Sequence, residues 1–216
     1  MKFSVAIAGD AHFKKPEHIK PSLETISEGV DMVILNGDTL DVPTEEMLSA
    51  LSESTHIINK PIKLVLGNHE SSYQFQDATE AFIRCFGNPQ YSFMEGGCYF
   101  IVMDYPTAGD LPVEWLLGES KRSKGYKHCF LFSHSPLKPI SPGGLIKKDE
   151  DRINVFTSVG VSCFFFSHSH FHIVKRWGNI PMVLTGSLHD PPYQYTVLSI
   201  NSGGWSTSQR YLEERG

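Results

Sequence analysis

The sequence lacks long apolar runs, paired cysteines and large basic clusters, and each absence excludes a class of protein. No apolar run among the 216 residues approaches the length of a membrane-spanning helix, so a membrane protein is not expected. The four cysteines include no Cys-x-x-Cys pair, which favours buried free thiols in a reducing compartment over a disulfide between Cys129 and Cys163. The formal net charge of -5 argues against broad non-specific binding of nucleic acid. We therefore expect a cytoplasmic protein that meets nucleic acid only as a substrate, and the sequence leaves its oligomeric state open.

Short apolar runs rich in Val, Ile, Leu and Phe predict strands that are buried on both faces. The first run lies near the amino terminus and is too short for a signal peptide. Patterns typical of amphipathic helices alternate with these runs, as expected of an α/β fold. The predicted strands are Phe3–Ala8, Met32–Leu35, Ile62–Leu66, Phe100–Asp104, Cys129–Phe132 and Val161–Phe166. The predicted helices are Pro21–Gly29, Thr44–Ser54, Gln74–Phe86, Pro112–Arg122 and Asp149–Val159.

The pattern changes after the last of these strands. Further short strands follow one another there with only Gly, Asn, Ser and Pro turns between them, which predicts an antiparallel meander. These strands are Ile173–Trp177, Met182–Thr185, Tyr195–Ile200 and Trp205–Tyr211. The sequence has no internal repeat, low-complexity segment or linker, so residues 1–216 are expected to form a single domain.

A polar residue able to bind a metal ion follows each of five predicted strands. In an open α/β sheet, sites form just outside the carboxyl ends of the strands, so these loops are expected to bring their side chains to one edge. The motifs are Gly9-Asp10-Ala11-His12, Gly37-Asp38-Thr39-Leu40-Asp41, Gly67-Asn68-His69-Glu70, Ser133-His134 and Ser167-His168-Ser169-His170.

Each motif alone is a weak indication, because Asp, Asn and His are also common in turns. His134 between two serines also fits a hydrogen-bonded core histidine, and His172 after the last motif is interpreted as structural. It is the occurrence of all five motifs in this setting that favours one site, with enough oxygen and nitrogen ligands for two metal ions.

This ordered series of motifs resembles that of the calcineurin-like metallophosphoesterase superfamily. The resemblance runs from Asp10 to His170, with one departure at Ser167, where the family usually has Gly. It implies a four-layer α-β-β-α sandwich with two mixed sheets and a dinuclear metal site at the carboxyl ends of the strands.

Matched position by position, the resemblance also implies how the ligands divide between the ions. Asp38 would bridge the two ions. The other ligands would be Asp10, His12 and His170 for the first ion and Asn68, His134 and His168 for the second. Nitrogen and oxygen ligands suit Mn, Fe, Zn, Co or Ni rather than Ca or Mg. Manganese is the working choice because the family commonly accepts it.

The resemblance further implies a reaction. A hydroxide shared by the two ions would attack a phosphate ester, and His69 would protonate the departing alkoxide while Asp41 holds the ring of His69 in place. A small phosphodiester substrate is favoured over a monoester. A nuclease acting on short nucleic-acid ends and a non-catalytic protein-binding scaffold of the same fold are the alternatives. The acidic charge weighs against the nuclease, and the presence of His69 and Asp41 weighs against the scaffold.

Substrate specificity is expected to lie in loops that match no known pattern. These loops are Phe13–Lys20, Ser71–Gln76, Thr107–Pro112 and Ser135–Lys148. The aromatic residues Phe13, Tyr73 and Tyr105 are interpreted as packing residues, with stacking on a substrate as the alternative. The doublet Lys14-Lys15 is notable because it directly follows a candidate ligand. His189, just after the Gly186-Ser187 turn, is interpreted as an exposed structural histidine, with a substrate contact as the alternative.

Overall fold

Two mixed β-sheets lie at the centre of the computed structural model, which describes residues 2–72, 75–104, 111–136 and 154–212. The strands in chain order are β1 (Phe3–Ala8), β2 (Met32–Asn36), β3 (Ile62–Val65), β4 (Tyr91–Glu95), β5 (Cys98–Val102), β6 (Cys129–Phe132), β7 (Cys163–Phe166), β8 (His172–Trp177), β9 (Ile180–Thr185), β10 (Gln194–Asn201) and β11 (Gly204–Tyr211). The helices are α1 (Ile19–Ser27), α2 (Glu45–Ile57), α3 (Ala78–Phe86) and α4 (Val113–Arg122). A 3-10 turn occupies Pro16–His18, and residues 154–159 are helical.

The parallel strands of both sheets place their carboxyl ends toward the candidate ligands. The first sheet has the order β11-β10-β1-β2-β3, in which β1, β2 and β3 are parallel and β10 is antiparallel to β1. The second sheet has the order β4-β5-β6-β7-β9-β8, in which β5, β6, β7 and β9 are parallel. The loops after β1, β2, β3, β6 and β7 therefore leave the two sheets at edges that can form one site.

Aromatic side chains fill the space between the sheets. The rings of Phe132 and Phe165 stack with centroids 5.0 Å apart, and they pack with Ile7 and Ile34 of the first sheet. Separate apolar clusters cover the outer faces, with helices α1 and α2 over the first sheet and Leu116 of α4 over the second. Because strands such as β2 are buried on both faces, they read as continuous apolar runs rather than as alternating patterns.

This architecture confirms the predicted α/β fold with two mixed sheets. Thr44 caps α2 as expected from its side chain, whose Oγ1 accepts a hydrogen bond from Met47 N at 3.2 Å. The four cysteines are free, with Cys98, Cys129 and Cys163 buried and Cys85 exposed, as the prediction of free thiols requires. In the part of the chain that the structure describes, no helix is both long and apolar enough to cross a membrane.

The predicted antiparallel meander is wrong. Strand β9 pairs with β7 in the second sheet, whereas β10 pairs with β1 in the first, so the chain changes sheets between Thr185 and Gln194. Among the four strands of the predicted meander, β8 pairs with β9 and β10 pairs with β11 as separate hairpins. Strand β4 was not predicted, because it is only half-buried and lacks an apolar run. The first part of the predicted helix Asp149–Val159 lies outside the described residues.

Candidate metal centre

The seven predicted ligands lie in loops at the carboxyl ends of five strands. Main-chain hydrogen bonds join these loops to one another: Asp10 N donates to Gly37 O at 3.0 Å, and His12 N donates to Asp38 O at 3.0 Å. On the second sheet, Ser167 N donates to His134 O at 3.0 Å. The loops therefore form one connected platform rather than independent turns.

Five of the ligand residues have left-handed backbone conformations. Their φ angles are 50° at Asp10, 43° at His12, 48° at Asp38, 68° at His168 and 58° at His170. Asp, Asn and His adopt this region more readily than other non-glycine residues, although each such residue still costs free energy. The predicted ligand side chains are therefore also among those that best tolerate the tight turns that present them.

Glycines before the ligands allow these loops to approach closely. A Cβ atom at Gly37 would lie 2.4 Å from Nδ1 of His134, and one at Gly67 would lie 2.1 Å from the main-chain nitrogen of Asp38. A Cβ atom at Gly9 would lie 2.1 Å from Oγ of Ser167. Ser167, the departure from the family pattern, uses its hydroxyl to contact Thr185 Oγ1 at 2.8 Å.

Four of the ligands form a group that we call the buried group: Asp38, Asn68, His134 and His168. Nε2 of His134 lies 3.1 Å from Oδ1 of Asn68, 3.2 Å from Oδ2 of Asp38 and 3.3 Å from Nδ1 of His168. Nδ1 of His168 lies 2.9 Å from the same Asn68 oxygen. The other ring nitrogen of His134 donates to Asn36 O at 3.0 Å, which directs Nε2 toward the group.

The other three ligands form what we call the open group: Asp10, His12 and His170. Nε2 of His12 lies 3.2 Å from Nε2 of His170, which in turn lies 3.5 Å from Oδ1 of Asp10. Oδ2 of Asp38 is 3.9 Å from Nε2 of His12, so this carboxylate lies beside both groups. Two imidazole nitrogens at such a distance share at most one proton, whereas a divalent cation between them is bound by both. The donors of both groups fit such ions.

The electrostatics of the buried group is dominated by one pair. Burial alone lowers the pKa of His134, but the hydrogen bond and negative charge of Asp38 outweigh burial and raise that pKa to about 9. Burial likewise opposes ionisation of Asp38, yet its hydrogen bonds and the charge of His134 lower its pKa to about 2. These opposite shifts are those of a buried ion pair, and a metal ion bound there would displace the proton of His134.

The open group has weaker charge pairing. Burial raises the pKa of Asp10 to about 6, although the charges of His134 and His170 oppose this shift. Burial lowers the pKa of His12 to about 4, so this imidazole is neutral at physiological pH. A neutral imidazole is the form that binds a metal ion. The open group therefore needs less proton displacement than the buried group to accept an ion.

The two predicted catalytic residues lie beside the open group. Nδ1 of His69 donates to the main-chain carbonyl of Asp41 at 2.7 Å, and the ring of His69 meets that of His12 edge-on with centroids 4.5 Å apart. The carboxylate of Asp41 lies instead 3.7 Å from Nδ1 of His12. Asp41 thus contacts the His69 ring through its backbone, and donor atoms of His12, Asp41 and His69 form a third cluster that could hold an ion.

Two supporting carboxylates were missed by the sequence reasoning. Glu70 is buried and accepts hydrogen bonds from the main-chain nitrogens of Asp38, Leu40 and Gly67 at 3.1, 2.8 and 3.1 Å. Burial and the charge of Asp38 raise its pKa to about 7. Asp190 accepts a hydrogen bond from Nδ1 of His170, which directs the opposite nitrogen of that ring to the open group. Glu70 stands within a recognised motif and was open to prediction, whereas no local pattern marks Asp190.

The other residues that the sequence analysis named lie beside the metal centre, away from it, or outside the described residues. His189 lies beside the centre, with its ring centroid 5.3 Å from that of His12. His172 begins β8 and belongs to neither ligand group. Ser187 accepts hydrogen bonds from the main-chain nitrogens of His189 and Asp190 and donates to Asp10 O. Tyr73, Tyr105 and the loop Thr107–Pro112, except for its last two residues, lie outside the described residues, as does the loop Ser135–Lys148 beyond residue 136.

Comparison with known proteins gives the family. Residues 3–172 match the family described as calcineurin-like phosphoesterase. A metal-binding hydrolase is thus the class that the fold and the site define. The chain belongs to the calcineurin-like phosphoesterase family, which confirms the predicted family and the prediction of a hydrolase.

Similar proteins include both phosphatases and phosphodiesterases. Serine/threonine-protein phosphatase CPPED1 of Rattus norvegicus is 25% identical over 154 residues, covering 59% of this chain and 47% of that protein. The chain thus spans about half the length of this relative. GAP50, the anchor in the inner membrane complex of Plasmodium, has a TM-score of 0.65 and 13% identity, covering 100% of this chain and 90% of that one. An archaeal phosphodiesterase has a TM-score of 0.53 and 11% identity, covering 97% and 100%. These two structures support the fold alone.

Proposed function

We propose that the protein is a dinuclear metal-dependent phosphoesterase. The observation that carries this proposal is the position of Asp38, whose Oδ2 lies 3.2 Å from His134 of the buried group and 3.9 Å from His12 of the open group. A carboxylate between two clusters of nitrogen and oxygen donors is suited to bridge two ions. In this proposal Asn68, His134 and His168 bind one ion, and Asp10, His12 and His170 bind the other.

The donor set suits Mn, Fe, Zn, Co or Ni, and manganese remains our working choice. Bound ions would lower the pKa of a water molecule and offset the charge of a phosphate group. The chain supports this chemistry by holding its own donors in place. Glu70 fixes the main chain on either side of Asp38, and the three-way contact of His134 leaves its ring little freedom. Such preorganisation means that the centre needs little rearrangement during catalysis.

His69 is proposed to transfer the proton to the leaving group. Its main-chain nitrogen donates to Oδ1 of Asp38 at 2.9 Å, and its Nδ1 donates to the carbonyl of Asp41 at 2.7 Å. A ring whose Nδ1 donates to a carbonyl can hold and release a proton at Nε2. The two contacts therefore fix both the position of His69 and the nitrogen that carries the transferable proton.

A phosphodiester is favoured as the substrate over a monoester. A cavity of about 320 Å³ opens beside the centre and is lined in part by His12 and His189. The cavity supports this preference, because a diester carries a second organic group that needs room beside the metal centre. The CPPED1 phosphatase represents the monoesterase alternative.

The decisive experiment compares hydrolysis of bis(p-nitrophenyl) phosphate and p-nitrophenyl phosphate by the purified protein with each of the five metals in turn. We expect turnover of both esters, with a higher kcat/KM for the diester. Asp38→Ala is expected to lower kcat/KM by about 10³-fold, which corresponds to the several kcal/mol that such a charge supplies. Asp31→Ala is the matched control, because Asp31 is a carboxylate outside the metal centre that accepts hydrogen bonds from Ser4.

The number of metal ions per chain, measured together with hydrolysis, distinguishes the proposed phosphoesterase from the scaffold and the nuclease. Two ions per chain together with hydrolysis support the proposal. One ion per chain would contradict the dinuclear centre, and two ions without hydrolysis of any ester would favour the scaffold. A preference for oligonucleotide ends over bis(p-nitrophenyl) phosphate, weakened by salt, would favour the nuclease.

A further inference from the structure

The cavity beside the centre has a basic rim and an apolar wall. Its lining includes His12 of the open group together with Phe13, Lys14, Lys15, Leu188 and Tyr193, and we call it the basic cavity. Its volume of about 320 Å³ suits a small organic group rather than a folded partner. Since His12 is shared, whatever occupies the basic cavity lies next to the reacting phosphate of the proposed function.

The segment that carries the two lysines is held in place by the neighbouring loop. Phe13 N donates to Thr39 O at 2.9 Å, and Asp41 N donates to Phe13 O at 3.1 Å, so a short parallel bridge leads from the metal centre to the lysines. The 3-10 turn Pro16–His18 begins directly after Lys15. Both lysines therefore start from a defined backbone at the rim of the basic cavity.

Lys14 and Lys15 are exposed and have no carboxylate or carbonyl partner among the residues that the structure describes. Some other lysines do have partners, since Lys20 pairs with Glu24 at 3.8 Å and Lys60 donates to Val30 O at 2.6 Å. The chain as a whole carries a net charge of -5, so two adjacent lysines without such a partner among the described residues place local positive charge at the cavity. Such a pair is suited to bind an anion.

The apolar wall offers a surface for a ring. Phe13 is buried against the core, and Tyr193 stands at φ 46°, a left-handed conformation that is strained for a bulky residue. A strained backbone conformation persists where the surrounding structure holds it in place. At Tyr193 two hydrogen bonds do so, from Tyr193 N to Asp190 O at 2.9 Å and from Leu212 N to Tyr193 O at 2.8 Å. A tyrosine held there, with Leu188 nearby, forms an apolar face for a flat group.

We propose that the basic cavity binds the part of the substrate that carries a flat ring and a second phosphate, with Lys14 and Lys15 contacting that phosphate. The substrate class is a small phosphodiester of a nucleoside that bears a further phosphate. This inference rests on the proposed function, because the reacting phosphate must lie at the metal centre. The inference adds Lys14 and Lys15 as the residues that select substrates with a second phosphate.

The test uses two chromogenic diesters that differ by one group: thymidine 5′-(p-nitrophenyl phosphate) and the same compound with a 3′-phosphate. In both, the oxygen of water adds to phosphorus and the bond to p-nitrophenolate breaks, which leaves thymidine 5′-phosphate from the first compound and thymidine 3′,5′-bisphosphate from the second. We expect the 3′-phosphate to lower KM by roughly tenfold with little change in kcat, the size of one hydrogen bond to a charged group. Equal KM values for the two diesters would overturn the proposal.

Charge-removing variants assign the effect to the lysines. The double variant Lys14→Gln, Lys15→Gln is expected to abolish the preference for the 3′-phosphate, so that the two thymidine diesters then have the same KM. Lys20→Gln is the matched control, because Lys20 lies on α1 outside the cavity and is expected to retain the preference. Tyr193→Leu is expected to raise KM for both thymidine diesters alike, since it alters the apolar wall and leaves the lysines in place.

A binding measurement separates this inference from the proposed function. Calorimetric titration of the protein with thymidine 3′,5′-bisphosphate is expected to give a Kd about tenfold weaker in the double lysine variant than in Lys20→Gln. Lysine-dependent binding without hydrolysis of any ester would contradict the proposed function and leave the basic cavity as an anion site. Hydrolysis with binding that does not depend on the lysines would overturn only the present inference.

Discussion

The two halves of the metal centre are built differently. In the buried group, Asp38 and His134 are 2% and 1% exposed, and main-chain groups and Glu70 fix their positions. In the open group, Asp10 and His12 are also buried, at 0% and 7% exposed, but the side chain of His170 is 33% exposed and is supported by Asp190, whose own side chain is 48% exposed. Solvent screens the second arrangement more strongly than the first. One half is therefore a preformed, strongly coupled charge site, and the other is a site that meets solvent and the basic cavity.

This difference suggests a division of tasks. A buried, preorganised group is suited to retain its ion through many turnovers, whereas a group open to the cavity is suited to exchange ligands with substrate. The expected order of metal loss is therefore the open group first and the buried group second. Variants of each group and changes of pH test that order.

The largest effect is expected from removing one partner of the buried ion pair. His134→Gln leaves the carboxylate of Asp38 without its main partner, and losing one member of a buried pair costs about 3–5 kcal/mol. His170→Gln removes a half-exposed partner and is expected to cost about 1 kcal/mol or less. Urea denaturation of both variants in the presence of a chelator measures the two costs. Equal losses of unfolding free energy in the two variants would show that the buried group and the open group do not differ in the way that the exposure of their side chains indicates.

A pH series tests the same pair without mutation. The pKa of His134 is raised from 6.5 to about 9 in the folded protein, so its stabilising contribution is complete below pH 6.5 and is lost as the pH rises through about 9. The free energy of unfolding of the chelated protein should therefore fall between these pH values, by on the order of 1–3 kcal/mol. His12 does not make the free energy of unfolding depend on pH in this range, because burial lowers its pKa to about 4. The His134→Gln variant should show no such decline; a decline of the same size in that variant would assign the effect to other groups.

The variant Asp190→Asn tests the open group without altering a residue of the buried group. Asp190→Asn weakens the hydrogen bond that orients His170, and changes of this kind reduce metal affinity by about 10–100-fold. Equilibrium dialysis at limiting metal should therefore show the variant retaining one ion per chain where the parent retains two. Asp31→Asn, on an exposed carboxylate that contacts Ser4, should retain both. Loss of both ions in Asp190→Asn would mean that the two groups are coupled more tightly than their contacts suggest.

The smallest effect is expected far from the centre. Gly118 is exposed on α4, and a Cβ atom there would meet no other atom within 4 Å. Gly118→Ala should therefore stabilise the helix by up to about 1 kcal/mol. Thermal denaturation should show this gain while the metal affinities of both groups stay unchanged. A shift in metal affinity in this variant would indicate that global stability, rather than local structure, sets the difference between the groups.

The convergence of the ligands could be predicted because its cause is local. Asp10, Asp38 and His134 each directly follow a buried strand, and parallel strands bring their carboxyl ends to one edge. The assignment of those strands to two sheets was less accessible. Short apolar segments such as β9 and β10 have the same local pattern whether they pair with each other or with β7 and β1, and only the packed structure decides between these pairings.

The supporting contacts were the least predictable part of the site. Asp190 reaches His170 from a loop that connects the two sheets, so their contact depends on the course of the whole chain between them. The contact between Asp41 and His69 uses a main-chain carbonyl, a group that every residue carries and that no sequence pattern marks. Side chains can be read from a sequence, but their hydrogen-bond partners follow from the tertiary fold.

The left-handed turns at Asp10, His12, Asp38, His168 and His170 have a consequence for protein engineering. Copying the seven ligand side chains onto another scaffold would not reproduce this centre, because five of them depend on a backbone conformation that most loops avoid. A transplant must carry the turns, together with the glycines that let the loops touch. Glycine is the replacement of choice for probing these positions, since it accepts the left-handed region and supplies no ligand atom, and so separates loss of a ligand from strain in the loop.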